Sequence, residues 1–383
     1  MNQPLITGVG ITSFGRFPEL AEEALAQSAI LEALTDAGIT IFDVQAFYCG
    51  NALGASLPGQ RALRELHTNG GAVYNVDNAC SSGATALNLA LQALKVGQYD
   101  TVVVFGMDQL SSLGGGPLQL SQQDWNNKRG MIMPALYAMR AKRYLYEHGL
   151  ELETLAVETL ADISVKNRKH GVLNPIAKFA KLATREEILA SRPVAEPLTL
   201  LQCCPAVVDG AAAIVLSTKP STGVAKPVRV LASVVQSGLF ETAPVDMTEA
   251  EITARAATLA YEQAGIGPAD LSLLEVHDAF TISELLYYEA LGLCDRGEAA
   301  SLLASGATAL GGRVPVNPSG GLLAKGHPPG ATGVAQIVEV CEQLQGRAGA
   351  RQVQGARIGL TQVTGGGIWG VDHAACSIHI LSL

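Results

Sequence analysis

VDNACSSGATALNLALQAL, residues 76–94, is matched 247 positions later by AKGHPPGATGVAQIVEVCEQL, residues 324–344, with His327 standing where the first stretch carries Cys80. Gly83, Ala84 and Thr85 correspond to Gly330, Ala331 and Thr332. The apolar series Ala84, Leu87, Leu91, Leu94 corresponds to Ala331, Val334, Val338, Cys341, both at helical spacing. A second pair of stretches keeps the same order: DAGITIFDVQAFYCG, residues 36–50, resembles QAGIGPADLSLLEVH, residues 263–277, with Gly50 facing His277. Two look-alikes in one order read as an internal duplication. A thiol and an imidazole therefore occupy equivalent points of two similar half-chains, as a nucleophile and its base would.

Working outward, apolar strand-like runs (Tyr74 to Val76, Thr101 to Phe105) alternate with helical patterns (Ala21 to Ala37, Ser82 to Lys95), which predicts α/β units around a largely parallel sheet. The pattern returns after about residue 226. Between the halves lie a glycine-rich start (Gly114 to Gly116) and charged helical runs such as ALYAMRAKRYLYEHG and REEILAS. The expected domains are a first half of residues 1–115 and 205–225, an inserted segment 116–204, and a second half 226–383.

A chain of 383 residues with 48% hydrophobic and 16% charged residues can bury a large core. No apolar run reaches the roughly 18 residues of a membrane span, and no basic-then-apolar leader opens the chain, so the expectation is a cytoplasmic protein without a membrane span. Seven cysteines, scattered without a CxxC pair, argue for reduced thiols and against a zinc knuckle; no metal site is expected. A net charge of −9 argues against nucleic acid. From Pro117 to Cys204, however, 12 Lys and Arg face 9 Asp and Glu, leaving 14 against 26 elsewhere. This mildly basic segment is a candidate landing site for an anionic ligand, with Lys128, Arg129, Arg140, Lys142 and Arg143 as candidate contacts.

At a helix N-terminus Cys80 would meet unpaired N–H groups and the positive end of the helix dipole, which favours a thiolate able to attack acyl groups. The small residues after it let a carbonyl approach and an oxyanion form against backbone N–H groups. Glycines 320, 321, 326 and 330 leave space around His327. His277 ends the strand-like run LSLLEV, where side chains reach the ligand crevice of open α/β sheets. Asp278 is expected to cap the helix that follows, and Glu284 to lie on that helix's surface.

NACSSGATAL, HDAF, NPSGGLLAKGHPPGATG, the terminal VTGGG and the middle segment from Leu173 to Leu216 resemble a thiolase, and most of all the sterol-carrier-type branch without its carrier domain. The resemblance covers nearly the whole chain. It implies a five-layer αβαβα fold of two similar halves with a loop domain inserted in the first, and a homodimer or homotetramer. It implies that Cys80 accepts the acyl group, that His327 activates it, that His277 binds the thioester oxygen, and that the backbone N–H groups of Cys80 and Gly365 form the oxyanion hole. A coenzyme A thioester would be substrate, with no cofactor permanently bound. One departure matters: where the family carries a second, acid/base cysteine, this chain has Val363 in the terminal motif and Ala279 in HDAF. Cys80 with two histidines instead resembles the Cys/His/His set of ketoacyl synthases. The expected function is an acyl-CoA C-acyltransferase of lipid metabolism, making or breaking a carbon–carbon bond through acyl-Cys80, with the acyl group carried by CoA or a carrier protein. The alternatives are a thiolase-like aldolase or lyase, or a non-catalytic acyl-CoA-binding subunit, acting with a small partner protein.

Overall fold

The computed structural model describes residues 4–114, 128–149, 155–205, 207–219, 226–240, 245–367 and 373–383. The first half runs β1 (Leu5–Ile11), α1 (Glu22–Ala37), β2 (Ala46–Gly50), α2 (Pro58–Leu63), β3 (Ala72–Val76), α3 (Ser82–Lys95) and β4 (Thr101–Gln109). Among the described residues three helices, α4 (Met133–Glu147), α5 (Leu155–Gly171) and α6 (Arg185–Leu189), and a small hairpin, β5 (Pro193–Ala195) with β6 (Leu198–Thr199), precede β7 (Asp209–Ser217). The second half runs β8 (Val228–Gln236), α7 (Glu251–Ala264), β9 (Leu273–Glu275), α8 (Thr281–Ala290), α9 (Ala299–Ala304), α10 (Gly321–Ala324), α11 (Pro329–Leu344), β10 (Ile358–Gly365) and β11 (Ala375–Ser382).

Nine strands join in the order β3-β2-β4-β7-β1-β8-β11-β10-β9. The order is mirrored about the β1–β8 seam, as a duplication demands: β8 answers β1, β11 answers β7, β10 answers β4 and β9 answers β2. The counterpart of β3 has shrunk to a single parallel bridge, Leu274 with Val316. The sheet is mixed rather than largely parallel. Among the described strands only β2 with β3 and β4, and β9 with β10, pair in parallel. The reason is connectivity: β11 follows β10 after nine residues, too few for a parallel crossover, and β7 enters after the long insertion rather than through a strand–helix–strand unit.

The helices make the layers. Leu25, Ala29 and Ile30 of α1 pack with Phe47, Val103, Phe105 and Val215 on the outer face of the first half. On the far side Ile252, Ala256 and Ala260 of α7 pack with Val276, Ile378 and Ile380, joined by Tyr144 and Leu160 from the inserted helices. Between the two halves lie α3 and α11, which gives the five layers α-β-α-β-α. Of the sixteen residues of α11 only Glu342 is not buried, the mark of a helix enclosed on every side. Two close approaches allow this. A Cβ on Gly83 would stand 2.5 Å from the carbonyl oxygen of Gly330, and one on Gly330 would stand 2.7 Å from that of Gly50, so the helices cross backbone to backbone only because no side chain intervenes.

Candidate active site

Between β3 and α3 the chain turns sharply at residues 77–81. Ala79 sits in the left-handed region at φ 50°, a strained conformation for a residue with a Cβ, and costs about 1 kcal/mol or more. Local bonds hold it: Asp77 Oδ1 accepts the Ala79 N–H at 2.9 Å, and Ser82 Oγ accepts the Asn78 N–H at 2.9 Å. Asn78 Nδ2 donates to Thr85 Oγ1 at 3.0 Å. Cys80 is thereby presented just ahead of α3, still partly exposed.

The second half brings its histidine to the same point. His327 Nε2 lies 3.3 Å from Cys80 Sγ. Its tautomer follows from its neighbours: Thr332 Oγ1 donates its one proton to the Pro328 carbonyl at 2.9 Å, because a carbonyl can only accept. His327 Nδ1, 2.7 Å from that same oxygen, must then carry the N–H. Nε2 is left as a bare lone pair aimed at the Cys80 thiol. His277, emerging beyond β9, packs edge-on against His327 with ring centres 5.1 Å apart. Its main-chain N–H donates to Gln362 Oε1 at 3.0 Å, Nδ1 meets Thr364 Oγ1 at 3.1 Å, and Nε2 is buried with no partner among the described residues. The ligand atoms of Cys80, His277 and His327 all lie within 4.8 Å of one another. A thiophilic cation could be gripped here, but it would occupy the lone pair and sulfur that acyl transfer needs.

The expected resting thiolate is corrected. Burial, and then the charge of Asp108, push the Cys80 thiol up to about 12, against the pull of the backbone N–H groups of Gly366 and Cys80 itself. Burial likewise holds His327 down to about 3. Both shifts favour a neutral thiol beside a neutral imidazole.

Gly365 lies against the Cys80 turn, where a Cβ would meet the Asn78 carbonyl oxygen at 1.9 Å, so only glycine fits. Val363 and Ala279 are both buried and apolar. Other expectations fail. Glu284 is fully buried rather than on a surface: it takes an ion pair from Lys166 Nζ at 2.9 Å and amide bonds from Asn167 and Asn317, each at 2.8 Å. Asp278 caps α10, accepting the Leu322 N–H at 2.6 Å, not the α8 that follows it. Arg140 is buried rather than presented at the surface, its Nε and Nη2 donating to the carbonyls of Met247 at 2.9 Å and Glu249 at 2.7 Å. Of the remaining basic candidates, Arg143 pairs with Glu147 and Lys142 lies 3.7 Å from Glu196, while Lys128 and Arg129 are exposed.

Three groups went unread in the sequence. Asp108, at the end of β4, accepts the N–H groups of Gly330 at 2.5 Å and Leu53 at 3.0 Å, tying the first half to the start of α11; burial pushes its carboxyl up to about 7. Tyr137 of α4 stacks on Phe280 at 4.4 Å and bonds His373 Nε2 at 3.1 Å. His373 Nδ1 in turn meets the Gly366 carbonyl at 2.8 Å. Nothing local in the sequence marks these residues, since each gains its role from a partner more than 100 positions away. Among the described residues no helix is long and apolar enough to cross a membrane.

Comparison with known proteins agrees with this geometry. Residues 5–220 match the family model "Thiolase, N-terminal domain" and residues 237–378 match "Thiolase C-terminal domain-like". The chain is 41% identical to benzoylsuccinyl-CoA thiolase subunit BbsB of Thauera aromatica, over 97% of both chains. It is 36% identical to an acetyl-CoA acetyltransferase of Methanothermobacter thermautotrophicus over 100% of both, and 37% identical to rat (Rattus norvegicus) sterol carrier protein 2 over 93% of this chain and 68% of that one. Among solved structures, the Ltp2-ChsH2(DUF35) aldolase superposes with a TM-score of 0.83 at 26% identity, covering 99% of this chain and 97% of that one. Human mitochondrial 3-ketoacyl-CoA thiolase shares the fold, with a TM-score of 0.73 at 18% identity over 100% and 99%. A duplicated half, a thiol and an imidazole at its two equivalent helix starts, and end-to-end similarity to such relatives have one reading: the chain belongs to the thiolase superfamily.

Proposed function

We infer that the protein is an acyl-CoA C-acyltransferase that carries its acyl group on Cys80 and makes or breaks a carbon–carbon bond beside it. The observation that carries this is the bare Nε2 of His327, held in its tautomer by Thr332 and set 3.3 Å from the Cys80 thiol. As an acyl-CoA enters, the thiol proton passes to His327, the sulfur adds to the carbonyl, and the oxyanion gathers against the backbone N–H groups of Cys80 and Gly365. Collapse expels CoA thiolate, which takes the proton back from His327. His277 stands beside the acyl-sulfur to serve the second half-reaction.

Relatives named for benzoylsuccinyl-CoA thiolysis and acetyl transfer support a 3-oxoacyl-CoA as the cleaved substrate. Within this reading no cofactor is permanently bound, and the protein works in the cytoplasm as a homodimer or homotetramer. Segment 116–204 forms a loop domain between a first half of residues 1–115 with 205–225 and a second half of 226–383. The test is intact mass after mixing with benzoyl-CoA, succinyl-CoA and acetyl-CoA: one acyl adduct, lost in Cys80→Ala, is expected, and no adduct from any thioester overturns the reading. A second reading, an aldolase or lyase acting with a small partner protein, is favoured by the apolar Val363 and Ala279 and by similarity to an aldolase. It requires no covalent loading, so the same measurement separates the two.

A further inference from the structure

Buried beside the strand end that carries His277 is a cluster of charged and amide side chains, Asp278, Glu284, Lys166, Asn167 and Asn317, none of them more than 6% exposed. Two carboxylates shut away from water repel one another and need donors on both. The donors come from α5 of the inserted segment. Asn167 can sit there only one way round: its Oδ1 accepts from Lys166 Nζ at 2.5 Å, while Nδ2 donates one proton to Asp278 Oδ2 at 2.7 Å and the other to Glu284 Oε2 at 2.8 Å. Lys166 balances the charge with a 2.9 Å ion pair to Glu284 Oε1. Both protons of the Asn167 amide are thereby spent, and none is left over for a substrate.

Bonds run outward from the two carboxylates to both histidines. Asp278 follows His277 in the chain, and its Oδ1 accepts the Leu322 N–H of α10 at 2.6 Å, five residues before His327. The fit is close: Gly321 has φ 61°, and a Cβ there would stand 2.2 Å from Asp278 Oδ2. Glu284 Oε2 also accepts from Asn317 Nδ2 at 2.8 Å, and Asn317 Oδ1 in turn accepts the main-chain N–H of Val276, the residue before His277, at 2.8 Å. His277 is thus held through both of its chain neighbours, and the segment leading to His327 is held by one of the same two carboxylates. The two lines meet at a single amide. We propose that Asn167 is a positioning residue for acyl transfer, setting the His277 and His327 rings in register, at their 5.1 Å separation, from a point on the inserted segment. This rests on the acyltransferase reading and deepens it.

The test takes Asn167→Asp, which keeps the shape of the side chain but replaces its two donors with an acceptor. Measured on folded protein are single-turnover acyl loading of Cys80 by intact mass, alkylation of Cys80 by iodoacetamide, and the dissociation constant of CoA by calorimetry. Loading and alkylation should each slow by roughly 10- to 100-fold, since both draw on the His327 lone pair, while CoA binding stays within about two-fold. Part of the lost rate should return as the pH falls toward about 5, where the new carboxyl, facing Asp278, Glu284 and Lys166, takes up a proton and regains one donor. Loading held within about three-fold of wild type overturns the proposal, and so does a loss of CoA binding as large as the loss of rate, the mark of an amide that only keeps the inserted segment folded. Where Asn167→Asp does not fold, Asn167→Ser, with one donor in place of two, decides by the same comparison. A wild type that never loads Cys80 sinks the acyltransferase reading alone; alkylation needs no acyl group, and an unchanged alkylation rate in the variant overturns the positioning role independently.

Discussion

The starts of α3 and α11 occupy the same place in the two halves, share the run Gly-Ala-Thr, and present different groups. Ahead of α3 the chain strains through Ala79 at φ 50° to present a thiol; ahead of α11, Pro328 and Pro329 set the entry and an imidazole is presented. The matched threonines show how one frame serves both. Thr332 Oγ1 receives the His327 Nδ1–H and fixes which nitrogen carries the lone pair, whereas Thr85 Oγ1 receives the Asn78 side chain and steadies the turn that carries Cys80. The second repeat shows the same division: Gly50 lets α3 approach β2, while its counterpart His277 puts a ring into the site. Duplication supplied the geometry, and a single side chain at each matched point supplied the chemistry.

Cys80→Ala removes one member of the matched pair outright and should lower acyl loading by about 10³-fold or more, read as loss of the mass adduct with an unchanged far-ultraviolet spectrum. Next in size, Thr332→Val leaves His327 free to take the other tautomer, so single-turnover loading should fall by roughly 10- to 100-fold while melting temperature moves little. The matching change Thr85→Val should cost only a few-fold in the same assay, since it loosens a turn rather than misplacing a proton. Equal losses at Thr85 and Thr332 would break the comparison. The smallest effect is the expected flatness with pH. Because burial holds His327 down to about 3 and Cys80 up to about 12, the neutral pair persists across the working range, and loading rates should be level from about pH 5 to 9. A rise centred near the ordinary thiol range, about 8.5, would mean that the helix end and not burial governs the sulfur.

The duplicated frame was legible because helical periodicity and turn residues are local. The span Ser82 to Lys95 was read to the residue, and the repeated Ala-Gly ends of α1 and α7 both close in left-handed glycines, Gly38 and Gly265, each at φ 68°. Strand direction was not legible, because it depends on how far the chain travels between strands rather than on the strands themselves. Nor was charge state. Cys80 at a helix start reads as a thiolate until the depth of burial and the position of Asp108 are known, and both are set by residues far along the chain. Glu284 and Arg140 failed for the same reason: a charged side chain on a helix reads as a solvated face until Lys166, or the carbonyls of Met247 and Glu249, close over it.

The central layer has a consequence for synthesis. Ile6 and Val9 of β1, Val104 of β4 and Ile214 of β7 pack in one core with Val334, Ile337 and Val338 of α11. The ribosome therefore completes five strands of the first half long before the helix that seals their inner face exists. Until residue 344 has emerged, that face is an open apolar surface with only α3 upon it, the kind of intermediate that chaperones hold and that aggregates when they do not.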